Sequence, residues 1–409
     1  MGVFYKIIVS FWELTQVSRY RKVLNNLLTP GVHIMKSNKL RKSFTLSIAT
    51  VLAVLPNAAF ASQPVFKENV TTNSSANSVE NYWTATNLAN AKSLDIPIPK
   101  GNVARPAVST TGGTSPVSGN GKAPTANITA DMKPLFTPQA ANSASAGVQP
   151  NNVGTTGAHF TSSRVVPQSA DVEYPYRTAG KLFFTIPGEG NYVCSASVLR
   201  PRVVATAGHC VHGGKSKGFY SNFLFIPSYR DGAAPYGKWT WSWVITTGEW
   251  AGGDGETVPN AADFAILEVK DQTIGGKVRK IGEVTGYLGY QTQSLIPNHA
   301  TILGYPGNLD NGEKMHQITA GSFRTASPNS AEYGSDMRGG SSGGPWIQNF
   351  GVPATGQVDG LNSGANRLIG ITSYGPTAVG PLYQGSSILN NSFVDILNKA
   401  CARKAGNCP

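Results

Sequence analysis

The larger, C-terminal part of this chain is predicted to be all-β, and three observations predict it. Short apolar runs recur from residue 181 onward, each ended by Gly, Pro or Asn. Charged residues make up only 14% of the chain while glycine supplies 46 of 409 residues, a balance that suits strands and turns rather than amphipathic helices. Only one stretch, near the C-terminus, has helical spacing.

In order, the strand signals are 181–186, a turn at 187–191, then 192–199, 202–205, 223–227 and 239–246. Later ones are 264–269, 300–304, 370–375 and 380–383. Many short strands between turn residues imply an antiparallel barrel or sandwich, and period-two patterning does not choose between them. Residues 392–400 read as a helix, with Phe393, Ile396 and Leu397 on one face.

The N-terminal part has a different composition. From Met35, the basic residues Lys36, Lys39, Arg41 and Lys42 precede a mostly apolar run at 44–55 and then Ala59-Phe60-Ala61. That order describes a secretory signal over 35–61, cleaved before Ser62, with an apolar run too short to span a bilayer. Residues 1–34 read as an over-long extension ahead of it. Residues 62–164 are rich in Asn, Ser, Thr, Ala, Pro and Gly, and most of this stretch cannot bury enough apolar area to offset its ordering entropy. It reads as a largely disordered propeptide or linker. A patch at Tyr82-Trp83 and Leu94-Asp95-Ile96-Pro97-Ile98 is expected to dock on the domain that begins at 165 and runs to 409.

The formal charge of +12 invites a nucleic-acid reading, but its location argues against one. Residues 1–61 hold eight Lys/Arg and one acid, a net of +7, which leaves +5 for the remainder. No basic cluster with interleaved aromatics follows, so nucleic acid is not an expected partner. The four cysteines are Cys194, Cys210, Cys401 and Cys408. An even count behind an export signal points to disulfides, and no CxxC pair supports zinc.

The stretch from Asp336 to Trp346 carries the chemistry. Four glycines and two serines before Pro345 make a poor helix and a poor strand. They make a loop able to present a hydroxyl and turn backbone N–H groups towards it, as acyl transfer requires. Gly340-x-Ser342-x-Gly344 also fits a nucleophile elbow, but that arrangement needs a histidine after the serine. His33, His159, His209, His212, His299 and His316 all precede Ser342. The order His209, Asp263, Ser342 remains, with His212 read as a surface neighbour and Asp254 as a weaker candidate acid.

Thr206-Ala207-Gly208-His209-Cys210 together with Gly340-Ser341-Ser342-Gly343-Gly344-Pro345 resembles the trypsin-like, chymotrypsin-fold serine proteases. It is similar to their secreted bacterial members, over roughly the C-terminal three-fifths of the chain. The resemblance implies two six-stranded β-barrels with the site between them and a C-terminal helix. It implies Ser342 as nucleophile, His209 as general base, Asp263 as the group that orients the imidazole, and the N–H groups of Gly340 and Ser342 as the oxyanion hole. Cys194–Cys210 would then brace the strand pair carrying His209, and Cys401–Cys408 would close a short terminal loop.

The chain departs from the family in two places. Ser341 stands where animal digestive members carry an Asp that pairs with a newly freed N-terminus, and no Ile-Val-Gly-Gly-like start appears. Activation by that ion pair is unavailable, so processing after Arg164 or Arg177 would uncover the cleft rather than switch the site. The cysteine that usually braces the specificity pocket near Arg338 is also absent.

Asp336 matches the pocket floor, and Ser373, Tyr374 and Gly375 match the pocket wall. A carboxylate there favours Arg or Lys at the cleaved bond, although Arg338 offers to neutralise it. The glutamyl-endopeptidase branch carries an Asp near this position without that preference. Its specificity histidine is missing here, where Ser373 holds the matching place.

The expected protein is therefore a monomeric secreted serine endopeptidase, periplasmic or extracellular, that acts on proteins or peptides. No cofactor is implied, no ligand run marks calcium, and no stable membrane anchor follows. The alternative is a catalytically silent adhesin or decoy on the same fold.

Overall fold

The computed structural model describes residues 62–69, 76–99, 115–138, 158–354, 364–377 and 382–409. The extension at 1–34 and the signal segment at 35–61 lie outside the described residues, as does much of the low-complexity stretch.

Six strands form the first barrel: β1 (Ala179–Ile186), β2 (Gly190–Arg200), β3 (Val203–Thr206), β4 (Ser221–Pro227), β5 (Trp239–Thr246) and β6 (Ala265–Val269). They pair antiparallel in the order β5-β6-β3-β2-β1-β4. Leu224 and Phe225 of β4 pair with Thr240 and Trp239 of β5, which closes the barrel. Leu182, Val198, Leu224 and Ile266 fill its core with no exposure.

Six more strands form the second unit: β7 (His299–Gly304), β8 (His316–Ala326), β9 (Ser330–Gly334), β10 (Pro345–Gln348), β11 (Arg367–Ile371) and β12 (Tyr383–Ser387). Their order is β12-β9-β8-β7-β10-β11. This sheet curls without closing by a ladder; beyond the end of β11, a single bridge, Tyr374 to Gly385, reaches β12. Ile302, Ile318, Tyr333, Trp346 and Ile369 form its core.

The all-β expectation holds, with one closed barrel and one open sheet in place of two closed barrels. The helix α1 (Asn391–Arg403) starts where the Asn390 side chain accepts from the N–H groups of Ser392 and Phe393. It buries Phe393, Ile396, Leu397 and Ala400, and Phe393 meets Phe264 at 5.7 Å.

Three strands of the second unit, β8, β9 and β10, carried little sequence signal. In β8 the inward positions are partly small or polar, and β10 opens on a proline. Phe160–Arg164, read as linker, is a strand along β8. Other pieces of the low-complexity region also lie against the domain. Val65–Glu68 pairs with β5, and Ser118–Gly119 pairs with 290–291. These pieces gain order by pairing their backbone with strands of the domain. Arg177 is buried and donates to Thr285 O and Tyr236 Oη, so cleavage after it is blocked in the folded protein.

A charged clamp joins the two units. Lys181 on β1 is 4% exposed, lies 4.4 Å above the Tyr229 ring and pairs with Glu313 at 2.9 Å. Burial pushes the Lys181 ammonium pKa down, and Glu313 opposes that shift. Removing one partner of a buried pair strands the other charge, at a cost of about 3–5 kcal/mol. Glu313→Ala is therefore expected to lower stability by about that amount in urea unfolding. Lys181→Met added to it should recover most of the loss, and no recovery would mean the pair does not carry the effect.

Candidate active site

Four segments converge between the two units. β3 ends at Thr206, and the following single turn, Gly208–Cys210, aims His209 into the cleft. Position 208 has to be glycine: a Cβ there would lie 2.8 Å from the Trp250 ring and 2.9 Å from Asp263 Oδ1. Asp263 sits just before β6. Its Oδ1 accepts from the His209 backbone N–H at 2.9 Å, and its Oδ2 lies 2.8 Å from His209 Nδ1. Ser373 Oγ donates to the same Oδ2 at 2.6 Å. Asp263 has no exposure, and these donors compensate a desolvation that an unpaired carboxylate would not survive.

The loop carrying Ser342, the candidate nucleophile, runs from Asp336 to Gly344 between β9 and β10. Gly340 has φ +89°, and a Cβ there would meet Tyr305 O at 2.6 Å. Ser342 Oγ and His209 Nε2 are both buried and make no hydrogen bond. A hydroxyl and a ring nitrogen held dry and unspent are the pair that proton transfer to a base requires.

Ser195 on β2, which sequence reasoning missed, fixes this loop to the first barrel. Its N–H donates to Ser342 O at 2.7 Å. Its Oγ donates to Gly340 O at 2.9 Å and accepts from Tyr305 N at 2.9 Å. Gln384 on β12, also missed, braces the loop from the other side. Its Nε2 donates to Ser341 Oγ at 2.7 Å, while its Oε1 accepts from Ser335 Oγ at 2.8 Å. Ser341 Oγ in turn donates to Arg338 O at 2.6 Å. A neutral chain of hydrogen bonds thus holds Ser341, the residue before Ser342.

The remaining expected site residues divide. Tyr374 is buried and its hydroxyl donates to Glu332 at 2.9 Å, and the Gly375 N–H donates to Pro97 O at 3.1 Å. The Asp336 carboxylate accepts from Ser162 Oγ at 2.8 Å. Burial raises its pKa; that hydrogen bond and the Arg338 charge oppose the rise.

Asp254 is exposed and occupied with Glu256 and Thr257 of its own loop, so Asp263 alone serves His209. His212, read as a surface neighbour, is buried. Its Nδ1 accepts from Gly214 N and burial lowers its pKa. The Phe219 ring packs edge-on against it at 4.6 Å, and Trp250 Nε1 donates to His212 O at 2.8 Å.

The cysteines pair as Cys194–Cys210 and Cys401–Cys408. Among the described residues, Cys194, His209 and Cys210 form the one close group of metal-type donors. Its two sulfurs are joined to each other, so it offers no thiolate.

Comparison with known proteins adds a family context. The sequence model of the family described as Trypsin matches residues 170–396. The chain is 28% identical over 174 residues to a glutamyl endopeptidase of Bacillus licheniformis, covering 42% of this chain and 49% of that protein. It is 23% identical over 186 residues to an extracellular metalloprotease of Bacillus subtilis, covering 44% and 55%. The chain therefore spans about half the length of the curated relatives it matches. Among solved structures, the protease Anisep from Arthrobacter nicotinovorans is 30% identical, with 55% of this chain and 96% of that one covered and a TM-score of 0.45.

Ser195→Ala tests the clamp. Leaving Gly340 O and Tyr305 N without that hydroxyl costs about 1–3 kcal/mol. If the clamp sets nucleophile geometry, kcat should fall by about 10- to 100-fold with KM little changed. An unchanged kcat in a folded variant would remove Ser195 from the positioning machinery.

Proposed function

Because this chain belongs to the trypsin family of serine proteases, we propose that it is a secreted serine endopeptidase that cleaves peptide bonds through an acyl-enzyme on Ser342. One observation carries the reading. His209 is locked to the buried Asp263 through both Nδ1 and its backbone N–H, while His209 Nε2 and Ser342 Oγ are left unbonded.

In this mechanism Ser342 Oγ attacks the substrate carbonyl as its proton passes to His209 Nε2. The developing oxyanion is met by the N–H groups of Gly340 and Ser342. Asp263 orients the imidazole through Nδ1 and stabilises the imidazolium, and Ser373 Oγ donates a further hydrogen bond to Asp263. His209 then gives its proton to the leaving amine, and the amine-bearing half departs. Water attacks the acyl-enzyme with His209 again as base, which frees the acid product and Ser342.

Export by the 35–61 segment belongs to the same proposal and is supported by the basic-apolar-small pattern there. The silent-binder alternative gains nothing from this site, because every group that catalysis calls on is retained.

For the bond cleaved, the reading is preference for Arg or Lys, supported by the half-buried Asp336 carboxylate. An acidic preference is the second reading, favoured by Arg338 two residues on and by the glutamyl endopeptidase likeness. Peptide-library profiling with wild type and Asp336→Asn separates them. Enrichment of Lys/Arg that the substitution abolishes supports the first, and enrichment of Glu overturns it. Burial raises the Asp336 pKa, so the pocket anion is neutralised at a higher pH than an ordinary carboxylate. Any Lys/Arg preference should accordingly fade on acidification before the usual carboxylate range is reached.

The class itself is tested with processed protein, denatured casein and a fluorophosphonate probe. Labelling and cleavage should both vanish in Ser342→Ala. Labelling that survives the substitution would place the nucleophile elsewhere.

A further inference from the structure

A stretch of the low-complexity region occupies the cleft. Lys92 and Ser93 pair in parallel with Tyr192 and Val193 of β2, and Leu94 N donates to Val193 O at 3.0 Å. Leu94 O accepts from Gly340 N at 2.9 Å, which uses one of the two oxyanion donors. Ile96 is 2% exposed, with its Cδ1 3.6 Å from where a Cβ on Gly375 would sit. Pro97 O then accepts from Gly375 N. From these contacts we propose that residues 92–97 are an inhibitory strap, laid through the substrate cleft with reversed chain polarity, so that the strap blocks the site without being cut. This rests on the reading of Ser342, His209 and Asp263 above and goes beyond it by naming what closes the cleft and how.

The polarity follows from the chemistry. His209 must hand its proton to the leaving amine, which carries the C-terminal half of a substrate. That half therefore runs on the side of His209, past Cys210 and its disulfide partner Cys194, next to Val193. The N-terminal half is then left the opposite side, along 373–375, the pocket wall that the family resemblance implies. The strap does the opposite. Lys92 and Ser93, which precede Leu94, lie on Val193, while Ile96 and Pro97, which follow it, lie on Gly375.

Attack by Ser342 on the Leu94 carbonyl would form the Oγ–C bond and protonate His209. The Asp95 nitrogen then faces away from that proton, so the C–N bond is not broken. Collapse restores the Leu94–Asp95 peptide and returns the proton to Ser342. Pro97 also has no N–H, so the strap at that residue offers 373–375 a carbonyl but no donor.

The strap is anchored at its N-terminal side on the first barrel. Trp83 is 2% exposed, its Nε1 donates to Asn222 O at 2.6 Å and its ring meets Phe183 edge-on at 5.5 Å. Tyr82 Oη donates to Asn191 Oδ1 at 2.7 Å. A short helix, Ala85–Ala89, capped by Thr84, buries Leu88 and leads into Lys92. Tethering of this kind keeps the local concentration of the strap high without strong contacts in the cleft itself.

The test uses the full-length protein, confirmed unprocessed by intact mass, and three relatives of it: Ile96→Asp, Trp83→Ala, and Ile96→Asp with Ser342→Ala. The readouts are the rate of fluorophosphonate labelling and the hydrolysis of casein. Both undocking variants should label about tenfold or more faster than wild type, with unchanged circular dichroism. A synthetic peptide spanning residues 90–99 should slow the labelling of Ile96→Asp and be recovered intact by mass spectrometry.

Wild type labelling as fast as both variants would overturn the strap. Cleavage of the peptide between Leu94 and Asp95 would overturn the reversed polarity. Failure of every protein to label would instead remove the Ser342 reading, and the strap proposal with it.

Discussion

Much of this structure follows from the burial of one carboxylate. Asp263 has no solvent exposure, so its carboxylate oxygens need protein donors in place of water. No single unit supplies them all. The backbone and ring of His209 come from the turn after β3 in the first barrel, and the hydroxyl of Ser373 comes from the segment after β11 in the second. Packing the two units together and orienting the candidate base are therefore the same event. Each stabilises the other, because losing the interface would strand a charge.

The loop that carries Ser342 obeys the same logic with neutral groups. Gly340 O, Tyr305 N and Ser342 O all find partners on Ser195, and Ser341 finds one on Gln384. These bonds are worth little singly, but each would be expensive to leave unmade in a dry interface. They give the loop one geometry without a charged terminus inserted beneath it. A site held this way is assembled as soon as the domain folds, and no later cleavage is needed to form it.

The sequence made the candidate site residues legible and left their supports hidden, for a physical reason. His209 and Ser342 stand in local runs whose glycines and small residues are dictated by the turn itself, so a few neighbours reveal them. Asp263 was legible because a carboxylate in an apolar run demands a partner. Ser195 and Gln384 were not, since each acts across more than forty residues of chain and looks locally like any strand residue. The role of Ser373 was half legible: its place beside the pocket could be read, but not the direction of its hydroxyl. In the fold, strands with continuous apolar runs were found. β8 was not, because its inward face uses small and polar residues. His212 was misplaced because no local pattern announces that Phe219 packs against its ring or that Trp250 donates to its carbonyl.

The docking patch at Tyr82-Trp83 and Leu94–Ile98 stood out because apolar side chains in a polar stretch need somewhere to go. What the sequence could not give was direction. A site assembled on folding is restrained by being filled, not by being taken apart, and whatever fills it must satisfy the backbone groups it covers. Gly340 N–H, Val193 O and Gly375 N–H would otherwise be buried and unpaired beneath any purely apolar plug. A peptide backbone is the natural filler, yet a peptide is also the substrate. Reversing its polarity meets both demands: the backbone groups of the cleft are paired, and the leaving nitrogen is kept away from the only proton that could release it.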